Sequence, residues 1–223
     1  MTSRVVRAWR RCAAPLLLVA GVLLLAEVAV TLVWQEPVTA LSGRREQDEL
    51  SERLQAAESA ALAAPTGFAA ERGFERGAVL ARRYKRRATP GQPLGRIHIP
   101  RLNMNIVFVQ GVSGEELKKG PGHYLPTALP GERGTVGIAG HRTTYLAPFR
   151  HIDKLRHGDE IVLRMPYGRF RYRVEGSIVV SPTSIASLRR ARYGRLALTT
   201  CTPPFSAAKR LIVTARLRSS RLV

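Results

Sequence analysis

The sequence predicts a mainly β fold, a closed barrel or sandwich of six to eight short strands, and three observations point there. First, "RFRYRVEG" (residues 169–176) alternates Phe170, Tyr172 and Val174 with Arg171, Arg173 and Glu175, the two-residue period of a strand with one buried and one wet face. Second, short apolar runs recur between glycines, prolines and polar turns: "RIHI", "NIVFV", "GTVGIAG", "EIVLRM", "RLALTT" and "RLIVTARL". Third, helical signals beyond residue 91 are confined to residues 113–119 and 184–192.

Ahead of the β region the chain changes character twice. Arg4, Arg7, Arg10 and Arg11 precede an apolar run over residues 13–34, which as a helix would be about 33 Å long, enough to cross a bilayer. The positive-inside rule then makes residues 1–12 a cytoplasmic basic tail and puts the rest of the chain outside. Pro15 falls in the first turn of the run, where its missing N–H costs little. Glu27 interrupts the run: taken as a break, it leaves residues 13–26 as a signal-peptide core with "VTA" (residues 38–40) as a cleavage site; tolerated, it leaves an uncleaved anchor, which is the expectation adopted. Cys12 sits on the cytoplasmic side and reads as an inert thiol. Residues 35–90 are expected to form a helical or disordered extracellular stalk. Leu50, Leu54, Ala57 and Ala61 give it a short exposed helix, Pro65 and Gly67 end that helix, and a tether follows, closing in "RRYKRR".

Residues 91–223 are the barrel. "RIHI" and "NIVFV" are strands around a turn at residues 100–103, "GTVGIAG" is a short buried strand, and "EIVLRM" and "RFRYRVEG" make a hairpin around "PYG". "RLALTT" and "RLIVTARL" are the closing pair.

With 36 Lys and Arg against 16 Asp and Glu, the net charge of +20 implies an anionic partner or surface. The arginines are scattered, and zinc-finger spacing, RNP-like aromatic runs and helix-turn-helix patterning are missing, so lipid headgroups or wall polymers fit better than nucleic acid.

Two cysteines, one of them beside the apolar run, make no disulfide framework, and Cys201 is a free thiol. It ends the strand "LALTT", and Arg210 opens the next one; in an antiparallel pair the two would be neighbours about 5 Å apart. A thiol with an ordinary pKa near 8.5 is a few per cent thiolate at neutral pH, and a nearby cation favours the nucleophilic form and donates to a developing oxyanion. Such a site needs a proton carrier. Of His98, His123, His141, His151 and His157, His141 follows the small residues of "VGIAG" at a strand end, and His123 lies among glycines and prolines; these two lead.

"LTTCTPPFSAAKR" resembles the cysteine signature of the sortases, a T-L-x-T-C strand end followed by an arginine on the next strand. "GIAGHRTTYLAPF", "GPGHY" and "ALPGERG" resemble class E sortases, and the similarity covers about residues 96–217. The resemblance implies an eight-stranded sortase-type barrel behind an N-terminal transmembrane helix. It implies Cys201 as nucleophile, His141 as general acid and base, Arg210 as oxyanion donor, and no metal or cofactor. It also implies substrate binding by Tyr145, Thr143 and Thr200, with Tyr145 linked to Leu-Ala-x-Thr-Gly sorting signals. The partners it implies are secreted proteins bearing that signal and a peptidoglycan amine. Ala197 departs from the signature where a threonine is usual, as does Thr202 where histidine is frequent.

Two other readings fare worse. An L,D-transpeptidase would carry its cysteine in a Ser-His-Gly-Cys-Arg context, whereas Thr200 and Thr202 flank Cys201. A non-enzymatic envelope-binding module, its basic surface gripping anionic polymers, would keep its behaviour when Cys201 is replaced by alanine and would not react with thiol-directed vinyl sulfones. G-x-S-x-G and HExxH are absent.

Overall fold

The computed structural model describes residues 2–33, 37–63, 74–184 and 191–223. Eight strands form a closed barrel: β1 (Pro93–Ile99), β2 (Met104–Gln110), β3 (Gly122–His123), β4 (Gly134–Ala139), β5 (Glu160–Met165), β6 (Gly168–Val180), β7 (Gly194–Thr202) and β8 (Lys209–Leu222), in the spatial order β1-β2-β3-β4-β7-β8-β6-β5. Alternation fills its interior. Phe170, Tyr172 and Val174 of β6 point inward and meet Phe108, Ile97, Leu163, Leu198 and Phe149, all fully or almost fully buried. Each such side chain contributes roughly 2–3 kcal/mol by leaving water.

Most neighbouring strands are antiparallel, but β3 runs parallel to β2 and β4 parallel to β7. The second of these pairings positions the site, because the C-terminal ends of β4 and β7 open at the same mouth of the barrel. β8 starts at that mouth and ends at the opposite one.

Among the described residues there are four α-helices: α1 (Thr2–Val33), α2 (Pro37–Ala63), α3 (Phe74–Lys85) and α4 (Gly114–Lys119). α4 occupies the turn expected there and opens with a capping box between Ser113 and Glu116. Part of the helix expected at 184–192 lies outside the described residues.

Residues 37–63 and 74–90 pack on the barrel, unlike the exposed helix and tether that the sequence predicts. α2 lies along the barrel, with Leu50 and Leu54 buried against Val107 and Val109 of β2. Gln47 holds it there: its side-chain amide donates to the carbonyls of Val107 (3.1 Å) and Lys119 (2.7 Å) and accepts from the Val107 amide (2.9 Å). α3, read as tether, packs Ala81 into the core with Leu80 and Tyr84 behind it. Its apolar residues are too few to signal a helix on their own, and its stability comes from the barrel end it covers.

Along α1 the leucines Leu16, Leu17, Leu18, Leu23, Leu24 and Leu25 are exposed. Among the described residues no helix is long and apolar enough to cross a membrane.

Candidate active site

Cys201 sits at the end of β7 directly opposite Arg210, the second residue of β8, as the strand-end geometry of the sequence requires. Both are half-buried at the rim, as is His141. β4 delivers His141 to the same rim, with Ala139 opposite Thr199 in the parallel register. The Gly140 amide donates to the Thr199 carbonyl (3.0 Å), and the Thr200 hydroxyl donates to the Gly140 carbonyl (2.7 Å). On the other side of His141, Arg142 Nη1 donates to the Cys201 carbonyl (3.3 Å) and to Thr202 Oγ1 (2.8 Å). Residues on both sides of His141 are therefore tied to the strand around Cys201, and the two backbones run side by side. Glycine is required at 140 by packing, since a Cβ there would stand 2.6 Å from the Phe149 ring.

Burial lowers the pKa of His141, so its neutral form dominates at neutral pH. Its ring lies against that of Tyr145, with centroids 5.3 Å apart and planes tilted by 36°. Tyr145, Leu146 and Ala147 have φ of 48°, 66° and 41°, three consecutive non-glycine residues in the left-handed region, each costing about 1–3 kcal/mol. The surrounding packing sustains that strain. Ala147 is buried, its amide donates to the Thr144 carbonyl (2.8 Å), and the Phe149 amide returns to the His141 carbonyl (3.0 Å). Gly43 of α2 sits so close to Leu146 that a Cβ would meet its Cγ at 2.9 Å.

Arg210 Nη1 donates to the carbonyls of Ala207 (3.0 Å) and Lys209 (3.2 Å), and among the described residues no carboxylate pairs with it. The loop that leads into β8 thus holds a positive charge on the residue directly opposite Cys201.

Thr143 is half-buried in the same loop as Tyr145. Thr200, expected to face substrate, is 3% exposed and its hydroxyl is already spent on Gly140, which leaves that proton unavailable to a ligand. His123, the other leading histidine, is fully buried; its Nδ1 meets Gln110 Oε1 (2.8 Å), its Nε2 meets the Ala128 carbonyl (2.9 Å) and Thr127 Oγ1 (3.0 Å), and burial pushes its pKa down to about 4. A ring so enclosed is neutral and serves the core. His98 lies on β1, and His151 and His157 are exposed.

Arg142 is the residue that sequence reasoning missed. It is 8% exposed, pairs through Nη2 with Asp153 (3.3 Å), and leaves its Nε buried without a partner. Its one sequence signal is adjacency to His141, which does not separate it from the many other arginines. Among the described residues no group of three His, Cys, Asp or Glu could hold a metal ion.

A closed eight-stranded barrel with a half-buried thiol opposite an arginine of the neighbouring strand at its mouth, and a histidine just past the end of the adjoining parallel strand, defines a thiol-dependent barrel. The sortase-domain family model matches residues 97–218, and the chain belongs to the sortase family, whose members are cysteine transpeptidases. It is 36% identical to sortase SrtE1 of Streptomyces coelicolor over 148 residues (59% of this chain, 42% of that one) and 37% identical to sortase D of Bacillus subtilis over 129 residues (55% and 63%). The chain thus spans 42% and 63% of the length of these two relatives. Among solved structures, sortase E1 from Streptomyces coelicolor with a tripeptide in the active site aligns at a TM-score of 0.56 and 34% identity, covering 60% of this chain and 93% of that one. Sortase E from Streptomyces avermitilis aligns at 0.56 and 38%, with the same coverage.

Proposed function

We propose that this chain is a class E sortase that cleaves a C-terminal sorting signal between Thr and Gly and transfers the protein to an amine of the cell wall. The observation that carries the reading is the cross-strand pair Cys201–Arg210 with His141 bracketed against the same strand end. The Cys201 thiolate attacks the threonine carbonyl, and the oxyanion accepts hydrogen bonds from the Arg210 guanidinium. The tetrahedral intermediate collapses with loss of the glycine amine, which takes a proton from the His141 imidazolium, and a thioester remains. A wall amine then attacks that thioester, gives its proton to His141 and leaves with the acyl group as the C–S bond breaks, restoring the imidazolium and the Cys201 thiolate. Because burial favours neutral His141, the imidazolium–thiolate pair is a minor population and turnover is slow.

Tyr145, its ring against that of His141 and its backbone in a left-handed loop, supports a preference for alanine over proline at the second position of the signal, with Thr143 in the same loop. Intact-mass analysis of the protein incubated with Leu-Ala-x-Thr-Gly and Leu-Pro-x-Thr-Gly peptides tests both levels. A thioester adduct that Cys201→Ala abolishes is expected, formed faster with the alanine peptide. A missing adduct would overturn the activity, and a proline preference would overturn the signal assignment alone.

For the N-terminus the proposal is a single-pass anchor at residues 13–34, with residues 1–12 in the cytoplasm and the barrel outside. The arginines before the run and the exposed leucines of α1 support it. Retention of the chain in membranes through an alkaline carbonate wash, with the barrel digestible by external protease on intact cells stripped of wall, is the expected result; release into the wash would refute it.

A further inference from the structure

The barrel mouth opposite the active site carries an arrangement that catalysis does not use. Arg96 of β1 is opposite Arg164 of β5, Arg164 is opposite Arg169 of β6, and Arg169 is opposite Arg221 of β8. Residues directly opposite one another share a face of the sheet, so four arginines form an in-register ladder across four adjacent strands on the outer surface. Arg171 extends it, two residues along β6. Like charges placed directly opposite are destabilising, and three other arginines of the barrel do have carboxylate partners: Arg173 with Glu160 (3.6 Å), Arg216 with Glu175 (2.6 Å) and Arg101 with Asp159 (3.1 Å). Arg96 donates to the Ser51 hydroxyl (3.1 Å), and none of Arg96, Arg164, Arg169, Arg171 and Arg221 has a carboxylate partner among the described residues. Glu58 lines an adjoining cleft with Arg164, Arg169 and Arg221 without pairing to them. A shallow cleft of about 370 Å³ on this face is lined only by Arg169, Arg171, Ser219, Ser220 and Arg221, which is donor chemistry throughout.

We propose that this face binds a linear phosphodiester polymer of the cell wall, its successive phosphates lying across the strands. Guanidinium forks match phosphate oxygens bidentately, and the hydroxyls of Ser219 and Ser220 add donors beside them. With neighbouring strands about 4.8 Å apart, four rungs extend over roughly 14 Å, a row suited to a chain of charges rather than to one phosphate. The choice of a wall polymer over lipid headgroups rests on the anchor proposed above. At most about 14 Å of chain separates Val33 from Pro37, so α2 begins close to where α1 ends. The beginning of α2 abuts the Tyr145–Leu146 loop, and its far end, at Glu58 and Leu62, reaches the ladder. The ladder therefore lies at the end of α2 remote from the anchor, and the active site at the near end.

The test uses the full chain in non-ionic detergent, fluorescent poly(glycerol phosphate) as the probe, and Arg164→Gln/Arg169→Gln/Arg171→Gln/Arg221→Gln as the variant. Arg82→Gln/Arg83→Gln/Arg86→Gln/Arg87→Gln, with the same change in charge at exposed positions of α3 and the turn after it, is the control. Expected are an affinity loss of at least tenfold and a shallower salt dependence for the ladder variant, against less than threefold for the control. Because opposed like charges are removed, the ladder variant melts no lower than the parent, which separates lost binding from lost folding. Equal weakening by both variants would overturn the proposal, leaving net charge as the cause. Tighter ladder-dependent binding to phosphatidylglycerol vesicles than to the polymer would also overturn it, in favour of a lipid surface. Thioester formation with the sorting peptide is read in parallel and stays at the parent rate in the ladder variant, so that failure here and failure of the sortase reading are distinguishable.

Discussion

Replacing Arg142 by methionine removes a side chain that joins the His141 loop to the main chain of Cys201. Its bond to Thr202 Oγ1, at 2.8 Å from a charged donor, contributes about 1.5–3 kcal/mol, and the 3.3 Å bond to the Cys201 carbonyl contributes less. Asp153 is 46% exposed, so losing its partner is screened and adds under about 1 kcal/mol. Against these, the variant no longer buries the unpartnered Nε, which returns roughly 1 kcal/mol. The net cost is about 2–3 kcal/mol, which lowers Tm by around 8 °C for a unit of this size. Loss of the clasp also frees the end of β7, and a displacement of the sulfur of the order of 1 Å is enough to slow acylation about 100-fold with KM changed less than threefold. Arg142→Lys, which keeps the charge without the fork, should fall between, and Asp153→Asn should stay within about threefold of the parent. Circular-dichroism melts and single-turnover acylation followed by intact mass measure both effects. A methionine variant that melts within 1 °C of the parent and acylates at the parent rate would refute the clasp.

Three further outcomes follow from the same geometry. His123 has a folded pKa of about 4 against 6.5 in its unfolded chain, so the unfolded state binds more protons between those values; stability is fully present above pH 6.5 and falls by about 3 kcal/mol as pH drops to 4. Urea melts across that window should show the loss, and His123→Gln should flatten the slope. For His141 the depressed pKa places the acid limb of a bell-shaped kcat/KM profile below pH 6.5; a limb above 7 contradicts the burial that sets it. Gly43→Val drives a side chain into Leu146, and the disturbed loop carries Tyr145, so KM for the sorting peptide should rise at least threefold while the melt shifts by about 1 kcal/mol or less. An unchanged KM in steady-state assays would disconnect α2 from substrate recognition.

What could be read ahead of the structure follows from the range of the interactions involved. The β6 alternation, the closing pair β7–β8 and the Cys201–Arg210 apposition are local: a period of two fixes the buried face, and an antiparallel connection fixes which ends meet. His141 was reachable from the small residues before it, and the reason is now physical, since Gly140 lies under the Phe149 ring. α2 and α3 were misread because their burial is imposed from outside. Leu50 and Leu54 look like a thin stripe on a polar helix until Val107 and Val109 are set beneath them, and nothing around Ala81 announces a core residue. Arg142 was invisible for the same reason in sharper form. Its partners are 11 residues away at Asp153 and 59 and 60 residues away at Cys201 and Thr202, on a strand whose parallel pairing with β4 is not encoded by any turn. Parallel neighbours need a long crossover, and local pattern is silent about which strands it joins. The β4–β7 pairing is what brings histidine and cysteine to one mouth, so the feature that makes the site is the one that had to be supplied by resemblance to a family rather than by spacing.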